Sequence, residues 1–202
     1  ALPALANGYI TFGSLTRPVR LNHRVIRAWS ELLKRVPGSR LMLDSGSFQD
    51  ESLRDHYQAL FAEQGIEPER LLLGYTSPAT AALAQMDIAL DCFPHNSGTT
   101  LFESLWMGLP FISLRDRPSM GRVGATVLHG AGHDEWIADS EQEYLDKLVA
   151  LATDVPALAA TRAGLREQMR SSRLCDGAGF ARRMEQAYRQ MWQRYCEQGE
   201  QQ

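Results

Sequence analysis

Residues 93–111 read FPHNSGTTLFESLWMGLPF. Asn96, Ser97, Gly98, Thr99 and Thr100 stand between the end of an apolar run and a stretch of helical spacing, and Glu103 follows about one turn on. A helix starting near Thr99 aims unpaired backbone amides, and the positive end of its dipole, at whatever lies in front of it. Gly98 omits the Cβ that would hold a ligand oxygen away, and the Thr99 and Thr100 hydroxyls add donors, so this junction suits an anion such as phosphate. A carboxylate at Glu103 repels phosphate in contact but, a few ångströms off, accepts the two hydroxyls of a ribose. Phosphate and ribose together make a nucleotide. The plainer alternative is a Ser/Thr helix cap worth about 1 kcal/mol, with Glu103 an ordinary first-turn acid.

A second stretch suits the same chemistry. FGSLTRPVRLN, residues 12–22, follows the first apolar run and carries Arg17 and Arg20, whose guanidinium forks bind phosphate bidentately and stay charged at any relevant pH. Either arginine alone could be a solvated loop residue; two anion-suited loops are harder to dismiss. No G-x-G-x-x-G follows the first run and no G-x-x-x-x-G-K-[ST] occurs, which removes the defining parts of dinucleotide oxidoreductases and P-loop NTPases. The five histidines are scattered without ligand spacing, so a metal-free site is expected. His95 adjoins the first junction and could touch a ligand there or be a solvated loop residue. His129 and His133 read as structural, and Arg122 as an exposed helix-end residue.

Both loops need a scaffold that brings them together. Short apolar or alternating runs at 8–15, 39–46, 70–76, 87–93 and 110–116 are strand candidates, separated by stretches of helical period. Val25, Ile26, Trp29, Leu32 and Leu33 make one helical stripe, and Leu53, Tyr57, Leu60 and Phe61 another. Five alternations of strand and helix predict an α/β, Rossmann-like doubly wound parallel sheet, in which ligands bind beyond the carboxyl ends of the strands. After Asp116 the pattern turns mainly helical, with a Ser140/Glu143 capping box and Pro156 in the first turn of a helix. The expected organisation is one lobe: 1–7 as a linker, 8–116 alternating, and 117–202 mainly helical. The last stretch places Phe180, Met184, Ala187, Tyr188, Met191, Trp192 and Tyr195 on one stripe, with Arg182, Arg183, Arg189 and Arg194 elsewhere. Packing on the core or on a further lobe is expected of it rather than membrane binding.

Bulk properties narrow the function classes. A formal net charge of −3 and 44% hydrophobic residues in 202 describe a chain that can bury a full core and has no excess of basic residues for nucleic acid. Cys92, Cys175 and Cys196 are too few and scattered for a disulfide framework, and no apolar run reaches the roughly 20 residues of a membrane span, so a cytoplasmic protein without stable membrane association is expected. The chain starts without Met, in the linker-like LPALANG, which suggests a piece of a longer polypeptide.

The combination ITFGS with its following arginines, LLKRVPGSRL, MDIALDCFPHNSGTTLFESLWMGLPFISL and LCDGAGFARRMEQAYRQMWQRYC resembles the C-terminal catalytic lobe of the SPINDLY and O-GlcNAc transferase family, particularly its bacterial members. Trp29, nine residues beyond Arg20, keeps the family's spacing. The resemblance spans nearly the whole chain and implies the donor-binding lobe of a GT-B glycosyltransferase with a first catalytic lobe and tetratricopeptide repeats ahead of it. It implies transfer of a sugar from a nucleotide-sugar, UDP-GlcNAc or a GDP-sugar, to Ser or Thr hydroxyls of an acceptor protein, with no metal. By position, the resemblance puts Thr99 and Thr100 on the diphosphate, Glu103 on the ribose, and Tyr75 and Thr76 beside the base. Arg20 stands where the family carries a phosphate-neutralising Lys, and Arg17 where it carries Gln or Asn. Gly98 replaces the His of the O-GlcNAc branch, and YTSPATAALAQ lacks the base-flanking charged residues of the animal enzymes. No general base is identifiable. A non-catalytic scaffolding module of the same fold, or a sugar-nucleotide epimerase, are the alternatives.

Overall fold

The structure, a computed structural model, describes residues 1–117 and 119–199. The strands are β1 (Thr11–Ser14), β2 (Arg40–Asp44), β3 (Leu71–Gly74), β4 (Ile88–Leu90), β5 (Phe111–Leu114) and β6 (Ile137–Ala138). All pair in parallel in the order β3-β2-β1-β4-β5-β6. The helices are α1 (Ala4–Asn7), α2 (His23–Arg35), α3 (Glu51–Ala62), α4 (Ala79–Leu83), α5 (Thr99–Trp106), α6 (Val123–Ala131), α7 (Glu141–Thr153), α8 (Val155–Ser171) and α9 (Gly177–Gly199). This is the expected doubly wound α/β fold. The chain leaves β1 in one direction to build β2 and β3, then returns to place β4 on the other side, so the strand order reverses between β1 and β4.

The helical stripes explain why the sheet is covered. On α2, Val25, Ile26, Trp29, Leu32 and Leu33 are all buried; on α3, Tyr57 and Phe61 are buried while Leu53 and Leu60 pack partly against the core. Right-handed crossovers put the helices that leave β1 and β2 on one face and those that leave β3 and β4 on the other. Helix α7 then lies beside α2, and α8 beside α5. Between α2, α7 and the end of β4, buried Trp29 donates its indole N–H to the Tyr144 hydroxyl at 3.1 Å, and that hydroxyl donates to the Asp91 carbonyl at 3.2 Å. At the end of α5, Gly108 has a φ of +79° and comes so close to α8 that a Cβ would lie 2.7 Å from the Arg162 carbonyl oxygen. Only glycine meets both demands.

Asn22 caps α2, its Oδ1 accepting from the Arg24 and Val25 amides. Ser140 caps α7, accepting from the Glu143 amide at 3.1 Å, and Glu143 accepts in return from the amide of Asp139, one residue earlier than the capping-box pattern expects. Pro156 sits in the first turn of α8. Strand β6, two residues long, was not foreseen, being too short to show alternation.

Residues 1–7, expected as a linker, make a turn of helix fastened to the core. Leu2 is buried, and the buried Asp87 accepts from the Ala4 amide through Oδ1 and from the Thr11 amide through Oδ2, both at 2.8 Å. Burial raises the Asp87 pKa against those two bonds and the charge of Arg162. Asp87→Ala strips the acceptor from two amides at once. It is expected to destabilise the chain by about 2–5 kcal/mol, read as a lower midpoint in urea with little change in slope.

Helix α9 departs from one expectation. Phe180, Tyr188, Met191, Trp192 and Tyr195 are 60% to 69% exposed, so the apolar stripe is not packed on this chain's core. Among the described residues no single helix is long and apolar enough to cross a membrane.

Candidate functional site

The two anion-suited loops leave the sheet at its carboxyl edge from the paired strands β1 and β4, where the connections part toward opposite faces of the sheet and leave a crevice. From β1 the chain enters a tight 3-10 turn, Pro18–Arg20, and from β4 it runs through residues 91–98 into α5. The structure ties the loops together. Asn22 donates its side-chain amide to the Phe93 carbonyl at 2.8 Å while capping α2, so one residue fixes both the helix after the first loop and the path of the second.

Residues 91–98 are held from beneath. Buried Asp91 accepts from the Ser97 amide through Oδ1 and from the Ser113 hydroxyl of β5 through Oδ2, each at 2.8 Å. Buried Asn96 donates to the Cys92 carbonyl at 2.9 Å, accepts from the Gly124 amide of α6 at 3.2 Å, and uses its own amide on the Met120 carbonyl. Gly124 lets α6 close on this pair: a Cβ there would lie 2.0 Å from Ser113 Oγ and 2.6 Å from Asp91 Oδ2. Burial pushes the Asp91 carboxyl up to about 7, although the Ser97 and Ser113 bonds and the charge of Arg20 act the other way. Burial likewise pushes the Cys92 thiol up to about 12, with the Asp91 charge adding to it.

Of the sequence-predicted residues, Arg20, Ser97, Gly98, Thr99 and Thr100 come together here. Arg20 is half-buried and near enough for its charge to favour ionisation of Asp91 and Cys92. Arg17 is exposed at the head of the 3-10 turn; among the described residues neither arginine forms an ion pair. Gly98 occupies the N-cap of α5 with nothing within 4 Å of where its Cβ would lie. Among the described residues no side chain caps α5, which leaves its first amides without a side-chain acceptor at the crevice. Thr99 is exposed and Thr100 half-buried, beside a narrow cleft also lined by Ser14, Ser97 and Leu101. The Ser97 amide faces inward to Asp91, so Ser97 shapes the loop from its buried side. Glu103 is half-buried one turn into α5, without an ion pair among the described residues.

Tyr75 and Thr76 share the carboxyl edge but lie at the end of β3, three strand spacings or roughly 14 Å from β4. Tyr75 is exposed beside Gly46, and the Thr76 amide donates to Asp44 at 3.1 Å. His95 and Arg122 are exposed, and His129 and His133 pair with Asp134 and Glu135 away from this crevice. A wider hollow at the amino edge of the sheet, lined by Leu2, Ala84, Met107, Arg162 and Arg166, is a poorer anion site. Helix C-termini face that edge, and Arg162 and Arg166 already donate to the Met86 and Trp106 carbonyls.

Asp91, Asn22, Ser113 and Gly124 were not foreseen as site residues, and Asn96, named at the junction, was not foreseen as the tie between this loop and α6. A charged residue inside the apolar run DIALDCF, between Leu90 and Cys92, was the available signal for Asp91; nothing local marked Ser113 or Gly124 as its neighbours.

The model of glycosyl transferase family 41 matches residues 2–184. The chain belongs to that family. Among its relatives, the tomato (Solanum lycopersicum) protein named as a probable UDP-N-acetylglucosamine–peptide N-acetylglucosaminyltransferase SPINDLY is 38% identical over 199 residues, covering 96% of this chain and 21% of the relative. A Caenorhabditis elegans UDP-N-acetylglucosamine–peptide N-acetylglucosaminyltransferase is 28% identical over 194 residues, covering 95% and 17%. The likeness extends to solved structures: a mutant O-GlcNAc transferase of Thermobaculum terrenum superposes with a TM-score of 0.87 at 31% identity, over 95% of this chain and 38% of that one. The Anabaena protein HepE, crystallised with UDP and glucose, shares the fold with a TM-score of 0.60 at 16% identity, over 91% and 51%. The chain thus has the GT-B type of Rossmann-like lobe and spans about a fifth of the length of the curated relatives it matches.

Proposed function

We propose that this family 41 chain is the donor-binding lobe of a protein O-glycosyltransferase and holds a nucleoside diphosphate in the β1/β4 crevice. The observation that carries the reading is the pairing of two anion-suited loops, fastened to each other through Asn22 and Phe93, at the point where the strand order reverses. Arg20, the Thr99 and Thr100 hydroxyls and the free amides of α5 take the diphosphate; Glu103, one turn further, takes the ribose hydroxyls. During transfer, negative charge grows on the departing diphosphate, and donors fixed beforehand in a partly dry crevice stabilise it without rearranging.

UDP-N-acetylglucosamine is the first donor to test, because the names of the tomato and nematode relatives specify it. A GDP-sugar is the competing donor. The acceptor is a Ser or Thr hydroxyl of a protein, and the remaining catalytic lobe, with any tetratricopeptide repeats, belongs to the part of the relatives that this chain does not span. The exposed stripe of α9 is where that lobe would seat. No metal enters the proposal, the diphosphate charge being met by Arg20 and α5.

Calorimetric titration with UDP and, separately, GDP tests the reading. Binding of UDP at least about tenfold tighter than GDP is expected. Equal affinity for both would remove the assignment of the donor, and absence of binding to either would remove the nucleotide site.

A further inference from the structure

Asp91 is fully buried under the loop that the proposed diphosphate would occupy, and both its oxygens are taken by neutral partners: the Ser97 amide and the Ser113 hydroxyl. A carboxylate in that position, without a cation in contact, is penalised by lost hydration. The groups facing it are few. Arg20 approaches from the turn after β1, Cys92 is its chain neighbour, and Tyr144 of α7 donates to its backbone carbonyl; β5 contributes Ser113 and α6 contributes Gly124. Among the described residues Arg20 alone supplies positive charge, and the same guanidinium is assigned to the ligand.

We propose that Asp91 is the positioning residue of this anion site and takes up a proton when a nucleoside diphosphate binds, an inference that rests on the nucleotide reading above. In the free chain, Arg20 favours the Asp91 carboxylate. A bound diphosphate draws the guanidinium to itself and adds negative charge over the loop, so the carboxylate takes a proton from solvent and becomes the neutral acid. Its bonds survive the change: Oδ1 still accepts from the Ser97 amide, while the new Oδ2–H donates to Ser113 Oγ, whose hydroxyl exchanges roles. Ser97, and with it the start of α5, therefore stays in place. Burial already holds the Asp91 pKa at about 7, where modest added negative charge changes its protonation at neutral pH.

The sign follows from linkage. A group whose pKa rises on binding makes the complex tighter at low pH, and the advantage disappears as pH rises through the free-state and then the bound-state pKa. The test is calorimetry with UDP-N-acetylglucosamine, a diphosphate diester without a titrating proton in the window, from about pH 5.5 to about pH 8.5 in two buffers of different ionisation heat. Wild-type affinity is expected to fall about three- to tenfold across that range, with net proton uptake near neutrality. Asp91→Asn, isosteric with the neutral acid and able to keep both bonds, should show a flat profile and bind more tightly than wild type at the alkaline end. Asp91→Ala, which frees the Ser97 amide, should bind more weakly at every pH. Wild-type binding without proton uptake, or an Asp91→Asn variant that keeps the wild-type pH slope, would overturn the proposal while leaving the nucleotide site standing; no binding at any pH would remove both together.

Discussion

Replacing Arg20 by Ala is expected to weaken UDP binding by about 10- to 100-fold, the range for loss of charge-assisted hydrogen bonds of about 1.5–3 kcal/mol. Arg20 is the predicted cation whose charge reaches the buried end of β4, whereas Arg17 is exposed at the head of the turn. Arg17→Ala should therefore weaken binding only about two- to threefold, as expected for a solvated contact. Arg20→Lys keeps the charge but replaces the planar fork with a point charge, and should recover part of the loss. Thr99→Val with Thr100→Val removes two hydroxyl donors and leaves the amides of α5, so about tenfold is expected for the pair. Isothermal calorimetry of the four variants at one salt concentration checks the order. An Arg17 effect as large as that of Arg20 would move the anion out of the β1/β4 crevice towards the rim.

That ranking separates what the sequence could show from what it could not. The place of Arg20 and the Thr pair at the carboxyl edge was legible because it is local: an arginine after a strand, or a hydroxyl at a helix start, lies at that edge wherever the strand lands. The parallel sheet was legible for the same kind of reason, since stripes such as Val25, Ile26, Trp29, Leu32 and Leu33 declare a buried face. Tyr75 and Thr76 show the limit. Their place on the carboxyl edge follows from the order of elements along the chain, but their separation from β4 depends on strand order, which puts β2 and β1 between them. Asp91, Ser113 and Gly124 depend on more still. They come from the residue after β4, from β5 and from the start of α6, adjacent only once the sheet is assembled. The α9 stripe was legible as a stripe, yet its period cannot name the surface it covers, and on this chain it remains exposed.

The support beneath the loop gives the second large effect. Gly124→Ala places a methyl group 2.0 Å from Ser113 Oγ and 2.6 Å from Asp91 Oδ2, distances that no rotation of the backbone-anchored Cβ relieves, so Ser113 and Asp91 must move or α6 must lift from β5. Alanine's better helix propensity offsets less than 1 kcal/mol of this, because Gly124 lies in the first turn of α6. A net loss of about 2–3 kcal/mol is expected, the usual scale for overpacking a filled core, with a lower urea midpoint as the readout. Movement of Asp91 loosens the Ser97 amide and lifting of α6 loosens Asn96, so nucleotide affinity should fall with stability although Gly124 is not among the residues assigned to the ligand. Pairing Gly124→Ala with Ser113→Gly makes room for the methyl on the β5 side and should recover part of the stability. The recovery measures coupling between the two positions as a non-additive term. Strict additivity of the two changes would mean that α6 does not rest on Ser113, and the loop would then need another support.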